Sequence, residues 1–461
     1  MAIDRDLAAA IATTRFGLGA RPGEIARARA DPRGWLTAQI RAAGAEQPPG
    51  PTAGSAERLN ELMTYRQDRR ADKRAGQAKS DLSKIAARVL RDEAGGDFLA
   101  RLQLGAATDT SFRERWALFW ANHFTVSANK LATAALVGPF EEEALRPRVF
   151  GRFEDLLVAS SRHPGMLLYL DEVRSIGPGS EAAHVQARAG KHPGLNENLA
   201  REIMELHTVG VEAGYSQADV TEFARAMTGW SVGGEADPPD RRGAFMFRER
   251  AHEPGARTIM GRRYPDTGEG QALAVLKDLA ASPHTARHLA LKIARHFVAD
   301  DPPPALVARL ERSYLDTGGQ LGEVARTLIA SPEAWEAPAL KFKTPYEFLL
   351  SSWRAADTGP TSIADVAPVL AAMGQKAFSA PSPKGWPEAA QAWCAPDAVI
   401  KRMNWSEAFA GAATGDRDPV RLADGALGAR LTPLVAKTIA RAETRPEGLS
   451  ILLMSPEFQR R

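Results

Sequence analysis

Apolar residues recur along this chain at intervals of three and four far more often than at two, so most of it reads as amphipathic helix. Ala, Leu and Ile at that spacing predict helices over 4–13 and 22–42, on either side of a Gly17-Leu18-Gly19 break, with Pro22 suited to a first turn. A Pro/Gly/Ala loop (43–55) follows, and then one long charged helical stretch from Glu57 to Leu104. Phe112, Trp116, Phe119 and Trp120 crowd the helix expected over 111–124, and such a stripe marks a buried face. Helices are also expected over 131–146 and 151–161, twice between 195 and 230, at 269–281, 283–299, 304–316, 319–330 and 345–356, and after 396. Ser216 with Asp219 three residues on has the capping-box pattern, and Ser282-Pro283 opens a helix.

Two irregular segments interrupt this pattern: 177–194, basic and carrying His184 and His192, reads as a mobile loop, and 374–396 is rich in Pro and Trp. Only 244–264 alternates like strand, with Phe245 and Phe247, a Glu-Pro-Gly turn, and Thr258-Ile259-Met260 suggesting one hairpin. No fixed-period repeat is visible, which disfavours a solenoid. The expected architecture is mainly α: a large multi-helical body with one short β-hairpin near 244–264. It divides into a helical core over 1–340 and a C-terminal helical portion over 341–461 packed on it, with one continuous domain as the alternative.

Composition narrows the function classes. The 461 residues carry 59 Lys+Arg against 56 Asp+Glu, a formal charge of +3, so a strongly polyanion-binding body is disfavoured. The basic run at 66–74 contains Asp68 and Asp72 and reads as a solvated helix face rather than a nucleic-acid surface. Cys394 is the single cysteine, which excludes an internal disulfide and any Cys-based metal site. Asp4, Arg5 and Asp6 stand where a secretory signal would be basic, and no apolar run approaches the roughly 18 residues of a spanning helix. The expected compartment is therefore cytoplasmic, with export alongside a partner to the periplasm as the alternative. No phosphate-binding loop, nucleophile elbow or dinucleotide fingerprint occurs, so no nucleotide cofactor is expected.

Metal chemistry would thus use His and carboxylates, and all nine His lie between His123 and His296. In the segment 196–208, Asn198, Glu202 and Glu205 fall within about 60° of one another on a helix, beside the apolar stripe of Leu199, Ile203 and Leu206. The carboxylates are either ligands for a hard cation or an ion-pair network with Arg201 or Arg225. His207 points about 160° away from Glu205 on a regular helix, so that helix alone cannot bring both to one ion. His123 projects from a helix C-terminus, as a cap or as a ligand. His252-Glu253 in the presumed hairpin turn offers a metal ligand, a base with its orienter, or a plain turn. His284 and His288, four apart, read as part of an ordinary amphipathic helix. Trp386 and Trp393 are packing anchors or a ring-binding platform.

The segments RFGLGARPGE (15–24), FRERWALFWANHFTVS (112–127), YLDEVRSIG (169–177), NENLAREIMELHTVGVEAGYSQADVTEFARAMTGWSV (196–232), HEPGARTIMG (252–261), TARHLALKIARHFV (285–298) and KFKTPYEFLLSSWRA (341–355) together resemble the bacterial domain-of-unknown-function family 1800. The likeness runs from about residue 10 past Gly385-Trp386-Pro387. It implies a mostly helical body and a frequent pairing with a sulfatase-like protein of the alkaline-phosphatase superfamily, with no settled activity. Three departures are visible: Glu172 where the family usually has Asn, His252-Glu253-Pro254-Gly255 for its H-D-P-G, and Ser282 where a His is frequent. The motifs retain His123, Asp171, Asn198, Glu202, Glu205, His207 and His252.

The leading expectation is a metal-assisted hydrolase or related transferase centred on the 196–208 helix. His123, Asp171, Glu202 and His207 would hold a divalent metal ion, His252, Glu253 and Glu205 would be catalytic, and Asn198, Arg201, Arg225 and Trp386 would contact substrate. Another is a non-enzymatic helical companion of a sulfatase-like partner. A third is a glycan or polyanion binder using Trp386, Trp393 and the 177–194 loop. His163, His184, His192, His284, His288 and His296 are expected on loops or helix surfaces.

Overall fold

The computed structural model describes residues 4–50, 53–74, 76, 81–191 and 194–461. Helix dominates, and strand among the described residues is confined to four three-residue strands. The capping signals act as expected. Ser216 Oγ accepts from Asp219 N while Asp219 returns a bond to Ser216 N, and Ser282 Oγ accepts from His284 N.

Three elements differ from the sequence expectation, each for a physical reason. The charged stretch from Glu57 to Leu104 lies in two helices, Ser55–Arg74 and Asp81–Ala107. One continuous rod would leave Leu59, Leu62 and Leu90 in water, whereas doubling back buries them together with Leu136. Arg58 clasps Asp97 across the pair with two bonds of 2.5 and 2.7 Å. The 177–194 segment contains a helix, Glu181–Arg188, capped by Ser180 and tethered by an Arg250–Glu181 ion pair. His192 lies outside the described residues. The β segment pairs as two small antiparallel sheets. Strand β1 (Trp230–Val232) pairs with β2 (Phe245–Phe247), and β3 (Arg257–Ile259) with β4 (Arg262–Tyr264). The tight turn is Met260-Gly261, both at positive φ, the two-residue geometry that suits strand twist. Glu253-Pro254-Gly255 therefore lies in the connection between the sheets.

Two apolar clusters hold the helices. The first joins Phe16, Phe112, Trp116, Trp120, Phe153 and Phe297, with the Trp116 and Phe150 rings stacked 6.0 Å apart. The second combines Phe98 and Leu102 of the Asp81–Ala107 helix with Phe348, Leu350, Leu449, Leu452 and Phe458. Gly19, at φ +96, sits where a Cβ would lie 2.7 Å from Ser351 Cβ, so the break at 17–19 is a close backbone approach onto the Pro345–Ala355 helix. No helix among the described residues is long and apolar enough to cross a membrane.

Buried charge joins the two clusters. Arg354 and Glu24, each 0% exposed, pair at 2.7 Å, and Arg354 also donates to the carbonyls of Gly19, Gly105 and Thr108. Removing one partner of such a pair strands the other charge, at a cost of about 3–5 kcal/mol. Glu24→Gln is therefore expected to lower the urea unfolding midpoint markedly, and Arg354→Met to lower it further because four carbonyls, that of Ala106 included, also lose their donor. Wild-type midpoints in both variants would contradict this.

Candidate active site

The inward face of the Pro283–Phe297 helix carries His288, Lys292 and His296, each four residues from the next and hence about 40° apart in azimuth. Facing it are the end of the aromatic helix Ser111–His123 and a widened π-turn over Ile203–His207. The π-turn exposes its last carbonyls, and two imidazoles satisfy them: His288 Nε2 bonds Leu206 O at 3.1 Å and His123 Nε2 bonds His207 O at 3.2 Å. Since a carbonyl only accepts, both rings carry their proton on Nε2. The His123 and His207 rings lie 5.8 Å apart. Burial, helped by the nearby Lys292 charge, takes His123 well below the ordinary value, His207 to about 3 and His288 to about 4. Burial also lowers Lys292 to about 8.

Beside this centre lies a cavity of about 120 Å³, walled by Arg115, Leu118 and Asn122 of the aromatic helix, by Tyr346 and Glu347, and by Phe378, Trp386 and Glu388 of the 374–396 segment. That segment is strapped down. The Asn122 side-chain amide bonds both backbone groups of Trp386, at 2.7 and 3.0 Å, and Ala128 N donates to Phe378 O at 2.7 Å. Gly385 is at φ +82 with Asn122 O only 2.4 Å from where a Cβ would stand, so this approach requires glycine.

His296 lines the same cavity. Its Nδ1 meets Glu388 Oε1 at 2.9 Å, its ring packs on Phe119 at 5.3 Å, and its Nε2 is buried without a hydrogen-bond partner. Burial lowers the imidazole pKa against the pull of Glu388, and against burial His296 and Lys341 hold Glu388 down to about 2. The neutral ring therefore donates a hydrogen bond from Nδ1–H to the carboxylate and keeps a lone pair on Nε2. Tyr346 Oη is buried without a partner in the cavity wall, and burial pushes it up to about 12 so that it stays a donor. Arg115 ion-pairs with Glu347, and Arg461 and Arg115 hold that carboxyl well below its usual range despite burial.

The residues expected from sequence divide among several places. His123 and His207 come together. Asp171, at φ +57, turns outward to Lys130 at 2.8 Å. Glu202 and Glu205 stay half-buried on the outer side of their helix, where burial and then the charge of Glu205 raise Glu202. The four expected ligands thus do not converge, and among the described residues no three His, Cys, Asp or Glu are placed to hold a metal ion. Asn198 is exposed, Arg201 is engaged by Glu197 and Gln217, and Arg225 by Glu222. His252 Nδ1 bonds Thr228 O at 2.9 Å while Glu253 accepts from Gly179 N at 2.6 Å, so the two serve different partners. Trp386 does line the cavity. Trp393 is a buried anchor with its indole N–H on Pro387 O.

Among the other histidines, His163 and His296 are buried and His288 is half-buried, contrary to the surface placement expected for them, whereas His184 and His284 are exposed. Ser55, His163 and Glu143 sit like a catalytic triad, with Ser55 Oγ 2.9 Å from His163 Nε2 and 2.7 Å from Glu143. The wiring is wrong for one. Gly165 N–H donates to His163 Nδ1, which leaves the proton on Nε2 and no base for the serine. Lys292, His296 and Glu388 were missed. The 288/292/296 column was readable as a polar line along one helix face, but Glu388 joins His296 from 92 residues away.

These features define a mainly helical protein with a histidine–carboxylate pair, its imidazole buried and its carboxylate half-buried, lining a cavity. A family model described as a protein of unknown function (DUF1800) matches residues 11–460, and the chain belongs to that family. No curated protein and no solved structure matches it.

The buried neutral imidazoles set an acid limit on stability. His207 and His288 titrate near 3 and 4 in the folded chain but near the ordinary 6.5 when unfolded, so the unfolded state takes up protons first as pH falls. Their contribution is fully present above pH 6.5 and drains between 6.5 and about 4 for His288 and about 3 for His207, at on the order of 1 kcal/mol per pH unit for each ring. Urea unfolding at pH 7, 6 and 5 is expected to show this slope. His288→Gln, whose amide can still donate to Leu206 O, should reduce it, and a flat wild-type profile would contradict the assignment.

Proposed function

We propose that the protein is a hydrolase, or a related group-transfer enzyme, whose general base is His296 oriented by Glu388. The observation that carries this reading is the 2.9 Å Nδ1–carboxylate bond combined with an unpartnered Nε2 in a ring that lines a cavity. A carboxylate on Nδ1 fixes the tautomer and supports the imidazolium that forms when Nε2 takes a proton from an attacking water or hydroxyl. Tyr346 Oη and the Arg115 guanidinium are the groups available to stabilise the negative charge that develops on the attacked centre. Phe98, Phe378 and Trp386 supply an apolar wall against which the rest of a small substrate packs.

This reading keeps the reaction class expected from sequence and moves its centre. The metal-assisted form has no three-donor set among the described residues, so no ligand role is given to His123, Asp171, Glu202 or His207. The sulfatase-like partner rests on the family resemblance alone.

The test is a panel of chromogenic esters, amides, phosphate esters and glycosides assayed with the wild type, His296→Asn and Glu388→Gln. One class is expected to be turned over, with kcat lowered about 10²–10⁴-fold by His296→Asn. No turnover of any class, or turnover undiminished in both variants, would contradict the reading.

A further inference from the structure

The dyad leaves part of the same polar centre unused. Lys292 lies one helical turn from His296 on the inward face, about 6 Å along the axis. Its ammonium has no hydrogen bond and no ion pair among the described residues, and Glu388, which its charge reaches, is already held by His296 and Lys341. His207 is 1% exposed and neither of its ring nitrogens has a partner, although a neutral imidazole must carry one N–H. His123 gives Nε2 to His207 O and leaves Nδ1 buried and unpartnered. A buried N–H left without an acceptor is destabilising, and a half-buried ammonium beside imidazoles with no acid of its own adds to that. Lys384, exposed on the strapped 374–396 segment, adds a further positive charge toward Lys292.

Donors gathered without an acceptor are the imprint of an anion. We propose that Lys292 and His207 form a binding site for the oxyanion group of the substrate, a carboxylate or a phosphate, placed one helical turn from the dyad. Lys292 pairs with the charge, the His207 N–H donates to a second oxygen, and His123 Nδ1 accepts from a protonated oxygen when the anion carries one. The substrate class of the proposed enzyme is then a small organic anion. That last step rests on the dyad reading, whereas the oxyanion site itself does not.

Isothermal titration of the full chain at pH 7 with inorganic phosphate, and separately with acetate, tests the site. One of the two is expected to bind the wild type saturably, and the stronger of them identifies the oxyanion. Lys292→Met should weaken that binding by at least about tenfold, while Lys292→Arg, which keeps the charge, should retain most of it. Lys292→Met should also raise the thermal midpoint of the anion-free protein, because an unpaired ammonium gives way to an apolar chain of similar size; this shows that the variant folds. His296→Asn is expected to bind the anion as the wild type does, so loss of catalysis with retained binding would remove the dyad reading and leave this one. Absence of saturable binding by either anion, or equal binding by Lys292→Met, would overturn the proposal.

Discussion

The Glu347 carboxylate between Arg115 and Arg461 is the interaction on which the polar centre depends. Arg115 belongs to the aromatic helix and also holds Gly17 O, while Arg461 donates to His296 O on the Pro283–Phe297 helix. Glu347 itself closes a capping box with Thr344 at the start of its own helix. One acid thereby fixes the relative positions of the N-terminal break, two walls of the cavity and the helix that carries His296. Moving any of these by an ångström would misplace the His296 ring, because its Glu388 partner is anchored separately through Asn122 and Lys341.

Around this junction the chain buries more cations than acids. Arg15, Arg115, Lys341, Lys343, Arg402 and Arg461 are all buried, and several rely on carbonyls and ring faces rather than carboxylates. Arg15 donates to Ala334 O and Pro338 O, Arg402 sits over Phe342 and Phe348, and Lys343 over Phe458. Carbonyl dipoles and aromatic quadrupoles soften the desolvation of these groups, and burial still takes Lys343 well below its ordinary value. The neutral imidazoles follow first from burial and then from the Lys292 charge, and Lys292 is itself lowered by burial and then by Lys384.

The fold was legible in sequence where one element settles its own structure. The aromatic stripe at Phe112–Trp120, the caps at Ser216 and Ser282 and the Gly17-Leu18-Gly19 break all depend on local spacing, and they appear where that spacing puts them. The site was legible only through His123, His207 and Trp386. Helix-face arithmetic at 100° per residue separated His207 from Glu205 by about 160°, and across the π-turn His207 is indeed buried while Glu205 stays half-buried. Asp171 precedes the buried Glu172 directly in sequence, yet a left-handed backbone at Asp171 sends its carboxylate to Lys130 at the surface. Glu388 stood in a segment with no periodicity, and long-range bonds such as those of Asn122 to Trp386 and of Lys341 to Glu388 O determine which helix it meets.

The central claim is that burial keeps His296 neutral while the Glu388 carboxylate fixes its proton on Nδ1, which leaves a free lone pair on Nε2. Nitrogen-15 shifts of the imidazole rings, assigned with His296→Asn, report this without any substrate. At pH 7 His296 is expected to show a protonated Nδ1 and an unprotonated Nε2, a signature altered by Glu388→Gln and opposite in tautomer to that of His163. A His296 protonated on Nε2, or one indifferent to Glu388→Gln, would contradict the account.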